Sequence, residues 1–360
     1  MTVGIVRSNL EDVKSNIKLL FEKINYRPSK NKVFLKPNIV APQPPETGVI
    51  THPVVISALI EIFQEWGYEV VLGESSSVAQ NTQRVLELTG YLDLAQHYNI
   101  DFVNLEKAKR IECEWKYGKI KLPEIVFTHE YINVAKMKTH IVTKVTLGLK
   151  NQKGLLLPSD KRKFHLEHEL EEAIIELSNV ISPDLTVIDG IIALEGDGPG
   201  RAGTPIDMGL LVAGTNVVEV DNIASYLMGF NHGEVNHIPK VDGISTVGID
   251  REQVKREFVR PKDNQVVLGK FRFFNMRACS GCIERFAAGF GISDKSKFTQ
   301  MVDVLSGQDA EIQCHKHNVV CFGDCTKEFA LKNSLPYIGG CPPEITKVST
   351  IPELIKEKEV

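Results

Sequence analysis

YINVAKM, residues 131–137, reads as a β-strand, and the residues at its end shape the reading of the whole chain. The strand runs straight into Lys136-Met137-Lys138-Thr139-His140, so cations and an imidazole gather where the strand should end. The pattern recurs on both sides. KVFLK (32–36) breaks at Pro37-Asn38, EVVLG (69–73) is closed by Glu74-Ser75-Ser76, and LTVID (185–189) is followed by Gly190. GIVRS (4–8) and GLLVAG (209–214) add two more strands. Helical patterns fill the gaps at 10–24, 54–66, 80–98, 166–180 and 217–228, with Thr51 expected to cap the second helix near Pro53. Strands interleaved with helices predict an α/β fold: a mostly parallel sheet covered by helices on both faces. Ligands bind such sheets in the crevice at the carboxyl ends of the strands.

A parallel sheet would bring these strand ends into one crevice. The candidate substrate-binding groups are Lys36, Asn38, Glu74, Ser75, Thr139, Lys144, Lys150, Asn151 and Asp189, with Glu195 and Asp197 in a glycine-rich loop. Lysines and hydroxyls suit a small anion such as a carboxylate or phosphate. His140 is the candidate general acid/base, because an imidazole titrates near neutrality, and Lys138 is its candidate catalytic neighbour. Singly, each feature also fits solvated lysines and ordinary Asp-Gly or Pro-Gly turns. The basic run Lys161-Arg162-Lys163 reads as a solvated helix start, and His165-Leu166-Glu167-His168 beyond it lacks metalloprotease spacing. No Walker loop or dinucleotide fingerprint is present, so neither ATP nor NAD is expected.

Polar, irregular sequence over 229–266 gives way to the strand-like VVLGKFRFF (266–274). The expected division is therefore a large α/β domain over 1–267 and a small C-terminal module over 268–360. Of seven cysteines, Cys113 stands alone in the first part and six crowd into the module. Thiolates are soft ligands for iron–sulfur clusters and zinc. Cys279 and Cys282 form one Cys-x-x-Cys pair, while Cys325 and Cys341 arrive singly, each after glycine-containing sequence. A structural zinc site often uses two such pairs, so one [4Fe–4S] cluster on these four thiols is the favoured reading. Cys314, beside His315 and His317, is a further candidate ligand. Cys321 reads as a buried structural thiol, and Cys113 as inert.

The module is similar to the proximal-cluster site of hydrogenase small subunits, where a paired-cysteine segment, a Gly-x-Cys and a terminal Gly-Cys-Pro-Pro hold one [4Fe–4S] cluster. The larger part resembles the uncharacterised family catalogued as domain of unknown function 362. That resemblance rests on Lys36-Pro37-Asn38, Gly73-Glu74-Ser75, Lys136 to His140, Leu149-Lys150-Asn151 with Gly154, Asp189-Gly190 with Glu195 to Pro199, and Val220-Asp221 with Met228-Gly229. It implies iron–sulfur cysteines after the main domain. The ferredoxin form common in that family is missing, which implies one cluster rather than two.

The leading expectation is an iron–sulfur oxidoreductase acting on a small anionic substrate beside the cluster. The alternatives are an electron-transfer or accessory subunit docking on a redox partner protein, and a non-redox lyase or isomerase using the cluster as Lewis acid. A net charge of −4 argues against a generic nucleic-acid surface. No apolar stretch is long enough to span a membrane, and Glu11 and Asp12 interrupt any signal-like start, so a cytoplasmic protein is expected. A homodimer is expected from symmetry statistics alone.

Overall fold

The computed structural model describes residues 2–167, 169–262, 265–310 and 318–356. These divide into two compact units. The first comprises 1–76, 80–161 and 169–261, and the second comprises 77–79, 162–168 and 262–360. The sequence predicts a single boundary near 268; the division falls slightly earlier and takes two short segments of the larger part into the second unit. His168, Cys314, His315 and His317 lie outside the described residues.

The first unit holds β1 (Thr2–Arg7), β2 (Lys32–Lys36), β3 (Glu69–Glu74), β4 (Asp101–Asn104), the hairpin β5 (Arg110–Trp115) and β6 (Gly118–Pro123), β7 (Glu130–His140), β8 (Lys144–Thr146), β9 (Leu185–Gly196), β10 (Gly203–Gly214) and β11 (Ser245–Gly248). Its main sheet runs β11-β1-β10-β9-β7-β2-β3-β4, with β8 attached to β7. The central run β9-β7-β2-β3-β4 is parallel throughout. β10 pairs antiparallel with both β9 and β1. The fold is thus the expected mixed α/β architecture around a mostly parallel sheet.

Period-two alternation on β7 explains its placement. Ile132 and Val134 enter one apolar core, and Ala135 and Met137 enter the other. Both faces are covered, so all eleven residues are buried. The helix Pro53–Glu65 presents Val55, Ile56, Leu59, Ile60, Ile62 and Phe63 to the first core at helical spacing.

Local details differ from the sequence reading. His52, not Thr51, caps the helix from Pro53: its Nδ1 accepts the Val54 N–H at 3.2 Å. Thr51 Oγ1 instead accepts from Asn38 N and donates to Val134 O. The helix expected at 166–180 is two, Pro158–Leu166 and Leu170–Val180. The strand expected at 185–189 continues to Gly196, because β10 returns alongside and satisfies its backbone. Asp189 therefore sits inside a strand rather than at its end.

The second unit has a five-stranded sheet of β12 (Gln265–Leu268), β13 (Phe271–Asn275), β14 (Val302–Ser306), β15 (Val319–Phe322) and β16 (Tyr337–Ile338), paired in that order. β13 to β16 are parallel, and β12 is antiparallel to β13. Phe271, Phe273, Phe286, Phe298 and Phe322 dominate its core. Phe271 and Phe286 meet edge to face, with centroids 5.1 Å apart. Cys321 is fully buried in β15. Among the described residues no helix is long and apolar enough to cross a membrane.

Candidate functional site

In the first unit, polar residues of the adjacent strands β9, β7, β2 and β3 come together, some at strand ends and some inside the strands. The parallel register sets Lys36 on β2 beside Glu74 on β3, and Lys136 on β7 directly opposite Asp189 on β9. Lys36 Nζ lies 2.9 Å from Glu74 and Lys136 Nζ 2.8 Å from Asp189, with all four side chains at 2% exposure or less. Burial pulls both lysine pKa values down, and the paired carboxylates oppose that shift. Asp189 also accepts the His52 N–H at 2.8 Å. Gly154 packs against the Lys36–Glu74 pair so closely that a Cβ there would fall 2.2 Å from Glu74 Oε1.

Lys138 begins a buried relay. Its Nζ donates to Asn38 Oδ1 at 2.9 Å and to Val49 O at 2.6 Å. Asn38 donates to Asn151 Oδ1, Asn151 to Asn133 Oδ1, and Asn133 to Gly148 O, each step between 2.7 and 2.8 Å. Each amide is oriented by the next, so the chain of donors has one direction. Asp221 closes it by accepting the Gly148 and Leu149 N–H groups at 2.8 Å. Burial raises its pKa to about 7, against those two hydrogen bonds.

His140 Nδ1 accepts from Val142 N at 3.0 Å, so the neutral ring carries its proton on Nε2. Thr139 Oγ1 donates to Gly196 O at 2.7 Å. Lys150 Nζ donates to Thr143 Oγ1 at 2.7 Å, and among the described residues no carboxylate lies within ion-pair distance of it. Burial, with Lys153 and Lys138 nearby, lowers its pKa well below the usual lysine range.

Three candidates turn elsewhere. Lys144 donates to Glu234 O, Glu195 accepts the Val259 N–H, and Asp197 sits half-buried in the loop after β9. Lys161 corrects the sequence reading. It is buried rather than solvated, donating to Ser75 Oγ at 2.6 Å and Ser76 O at 2.7 Å, and burial brings its pKa to about 8. Ser75 Oγ donates in turn to Gly154 O. An open depression lined by Asn9, Glu11, Ile192, Pro205 and Asp207 lies elsewhere in this unit, and none of the lysines lines it.

In the second unit the thiols also occupy carboxyl ends of parallel strands. Cys279 caps the helix Ser280–Ile292 after β13, and Cys282 follows in its first turn. Cys325 lies in the 3-10 turn Asp324–Thr326 after β15, and Cys341 follows β16. The sulfur of Cys282 meets those of Cys279 and Cys325, and these contacts raise the Cys282 thiol far above its usual range. The Cys282 contact and the Gly307 N–H outweigh burial to bring Cys325 down to about 7. Burial raises the Cys341 pKa, and Cys341 also feels the charges of Cys279, Cys325 and, oppositely, Arg162. Gly323, at φ +102°, leaves room where a Cβ would stand 2.8 Å from Cys282 Sγ and 3.6 Å from Cys325 Sγ. Ser306 Oγ at the end of β14 is buried beside them, without a well-formed hydrogen bond among the described residues. Among the described residues no three His, Cys, Asp or Glu side chains are arranged to hold a single ion. A [4Fe–4S] cube spreads its four ligands over four irons, so this thiol set and its glycine cradle fit a cluster. Cys113 lies half-buried in β5, in weak contact with Ile111 O.

Sequence reasoning missed Lys161 and Asp221 as parts of these buried networks. Only Asp221 carried a signal, as one residue of the family-like motif.

The family described as "Domain of unknown function (DUF362)" matches residues 33–226. A thylakoid-associated protein of Synechocystis sp. (strain ATCC 27184 / PCC 6803 / Kazusa) is 29% identical over 240 residues, covering 63% of this chain and 74% of that protein. No solved structure matches.

Proposed function

We propose that this chain, which belongs to the DUF362 family, is an iron–sulfur oxidoreductase acting on a small anionic substrate. The observation that carries this reading is the gathering of four cysteines from three strand ends of the second unit. Cys279, Cys282, Cys325 and Cys341 would hold a [4Fe–4S] cluster, with Gly323 allowing close approach and the Gly307 N–H directed at Cys325. Such a cluster supplies single electrons when bound.

In the first unit, Lys150 supplies an amine without its own carboxylate, suited to an anionic group. His140, with Nδ1 engaged by Val142, is oriented to donate a proton from Nε2. Lys138 is positioned by Asn38 and Val49 and adds positive charge near Lys150. The test is anaerobic isolation, then iron and sulfide analysis and visible spectroscopy. About four irons per chain and absorbance bleached by dithionite are expected. A colourless protein holding zinc alone overturns the reading.

A second reading, an electron carrier docking on a redox partner, is favoured by the closed Lys36–Glu74 and Lys136–Asp189 pairs, which look inward and saturate each other. Lys138→Met and His140→Ala separate the two. Turnover is abolished under the first reading, and electron transfer is unchanged under the second. A cytoplasmic location belongs to the same proposal. Recovery of the chain with the membrane fraction would overturn it.

A further inference from the structure

His237 is fully buried, and among the described residues neither ring nitrogen has a hydrogen-bond partner. Buried imidazole nitrogens are ordinarily satisfied, so a pair left open marks a place where something else binds. The ring feels the positive charges of Lys150 and Lys153, and burial together with those charges lowers its pKa to about 3. It is therefore neutral near pH 7, with one N–H to donate and one lone pair to accept.

The surroundings are built. Lys150 is 8% exposed and held by Thr143 Oγ1 at 2.7 Å. The loop bearing His237 is tied down by Lys144 Nζ to Glu234 O at 3.0 Å, Asn236 to Glu171 at 2.8 Å, and Asn222 to Pro239 O at 2.9 Å. Between Lys150 and Lys153 in sequence, Gln152 is fully buried, and among the described residues neither amide atom has a partner. Lys153 and Lys138 act on Lys150 as like charges, and Glu171 acts as the opposite charge.

We propose that Lys150, Lys153 and His237 bind the anionic end of the substrate, and that this end is an oxyanion with a protonated oxygen: a hydroxycarboxylate or a monohydrogen phosphate. The lysine Nζ groups donate to the charged oxygens, and a bound anion favours the charged form of Lys150 that burial opposes. The bare nitrogen of the neutral imidazole accepts from the ligand's O–H, a donor that a fully ionised oxyanion does not have. This rests on reading the lysine cluster as the substrate site, but it needs neither iron nor turnover.

The experiment is equilibrium binding by calorimetry to the full chain, with inorganic phosphate in one arm and glycolate in the other. Wild type, His237→Leu, Lys150→Met and the control Lys32→Met, an exposed lysine paired with Glu69, are compared. Saturable binding of at least one probe is expected, weakened at least tenfold by His237→Leu and Lys150→Met and unchanged by Lys32→Met. Binding of phosphate alone assigns a phosphorylated substrate, and of glycolate alone a hydroxy acid. If a variant does not fold, the imidazole nitrogen resonances of wild-type His237 are followed instead, and both must shift on saturation. Failure of both probes to bind, or binding that leaves His237 unmoved, overturns the proposal. The cluster is assessed separately by its iron content. Saturable binding in an iron-free chain would thus retain this site while removing the redox reading.

Discussion

Both units gather polar side chains on a largely parallel sheet, within the strands in the first and just beyond their carboxyl ends in the second, but they settle the charge in opposite ways. The first unit answers Lys36 with Glu74 and Lys136 with Asp189, and strings its amides into a one-way relay from Lys138 to Gly148. The second assembles like groups, with Cys282 against Cys279 and Cys325. Opposite charges at one edge stabilise a folded interior unaided. Like thiols gain little from one another, and the proposed cluster would supply what the set itself lacks. Within the first unit the same rule isolates Lys150 and His237, the places where the internal matching stops.

The largest effect should come from breaking the matching. Lys136→Met leaves the buried Asp189 carboxyl group without its cation and with only backbone donors, a loss of ~3–5 kcal/mol. Urea unfolding of the variant checks this. Adding Asp189→Leu should restore much of the loss, because a matched apolar pair costs less than an orphaned charge. A single variant as stable as wild type would show that the pair contributes little.

Asp221 offers the next test, as a buried carboxylate answered by N–H groups instead of a cation. Its folded pKa of about 7 lies above the roughly 4 of an unfolded aspartate. The folded chain thus holds the extra proton between about pH 4 and pH 7, and stability falls as pH rises through that window. The span is worth at most about 4 kcal/mol from the size of the shift. Asp221→Asn should flatten that part of the stability–pH curve, and an unchanged slope would assign the dependence to other groups.

Much of this was legible in the sequence. The strands around Lys36, Glu74 and Lys136 announced themselves by apolar runs ending in charge, and the four thiols by spacing and glycines. The pairing was not legible, because a one-residue register difference decides whether Lys136 faces Asp189 or a neighbour. Asp189 looked like a strand end because the Asp-Gly step resembles a turn, whereas the β9–β10 pairing carries the strand through it. Lys161 was hidden in a basic run, which ordinarily marks a solvated face. His237 lay in a polar loop with no periodicity, and only tertiary burial reveals it.

Gly323 sharpens the comparison from the thiol side. Gly323→Ala places a methyl group against Cys282 Sγ at a φ of +102° that alanine resists. Local strain of ~1–3 kcal/mol is expected. Iron content should drop sharply while the first unit's unfolding transition stays put. Full iron loading in this variant would show that the glycine is not part of the cradle.

The smallest folding effect should come from Asp324, which links two of the thiol-bearing loops. Its carboxylate accepts Tyr337 Oη at 2.5 Å and the Gly340 N–H at 2.7 Å, and these hold its pKa below the usual range. That contribution is present above the unfolded pKa of about 4 and is lost as pH falls through the lower folded value. The group is largely exposed, so Asp324→Asn should cost only a few tenths of a kcal/mol after solvent screening. Its effect should appear in kinetics, because Gly340 precedes Cys341 and Asp324 precedes Cys325. Loosening that tie should speed iron release to a chelator several-fold at an almost unchanged unfolding midpoint. Equal release rates would mean that the thiols are held by their own strands alone. A faster rate would mean that groups with no attraction for one another depend on hydrogen bonds outside the set to stay together.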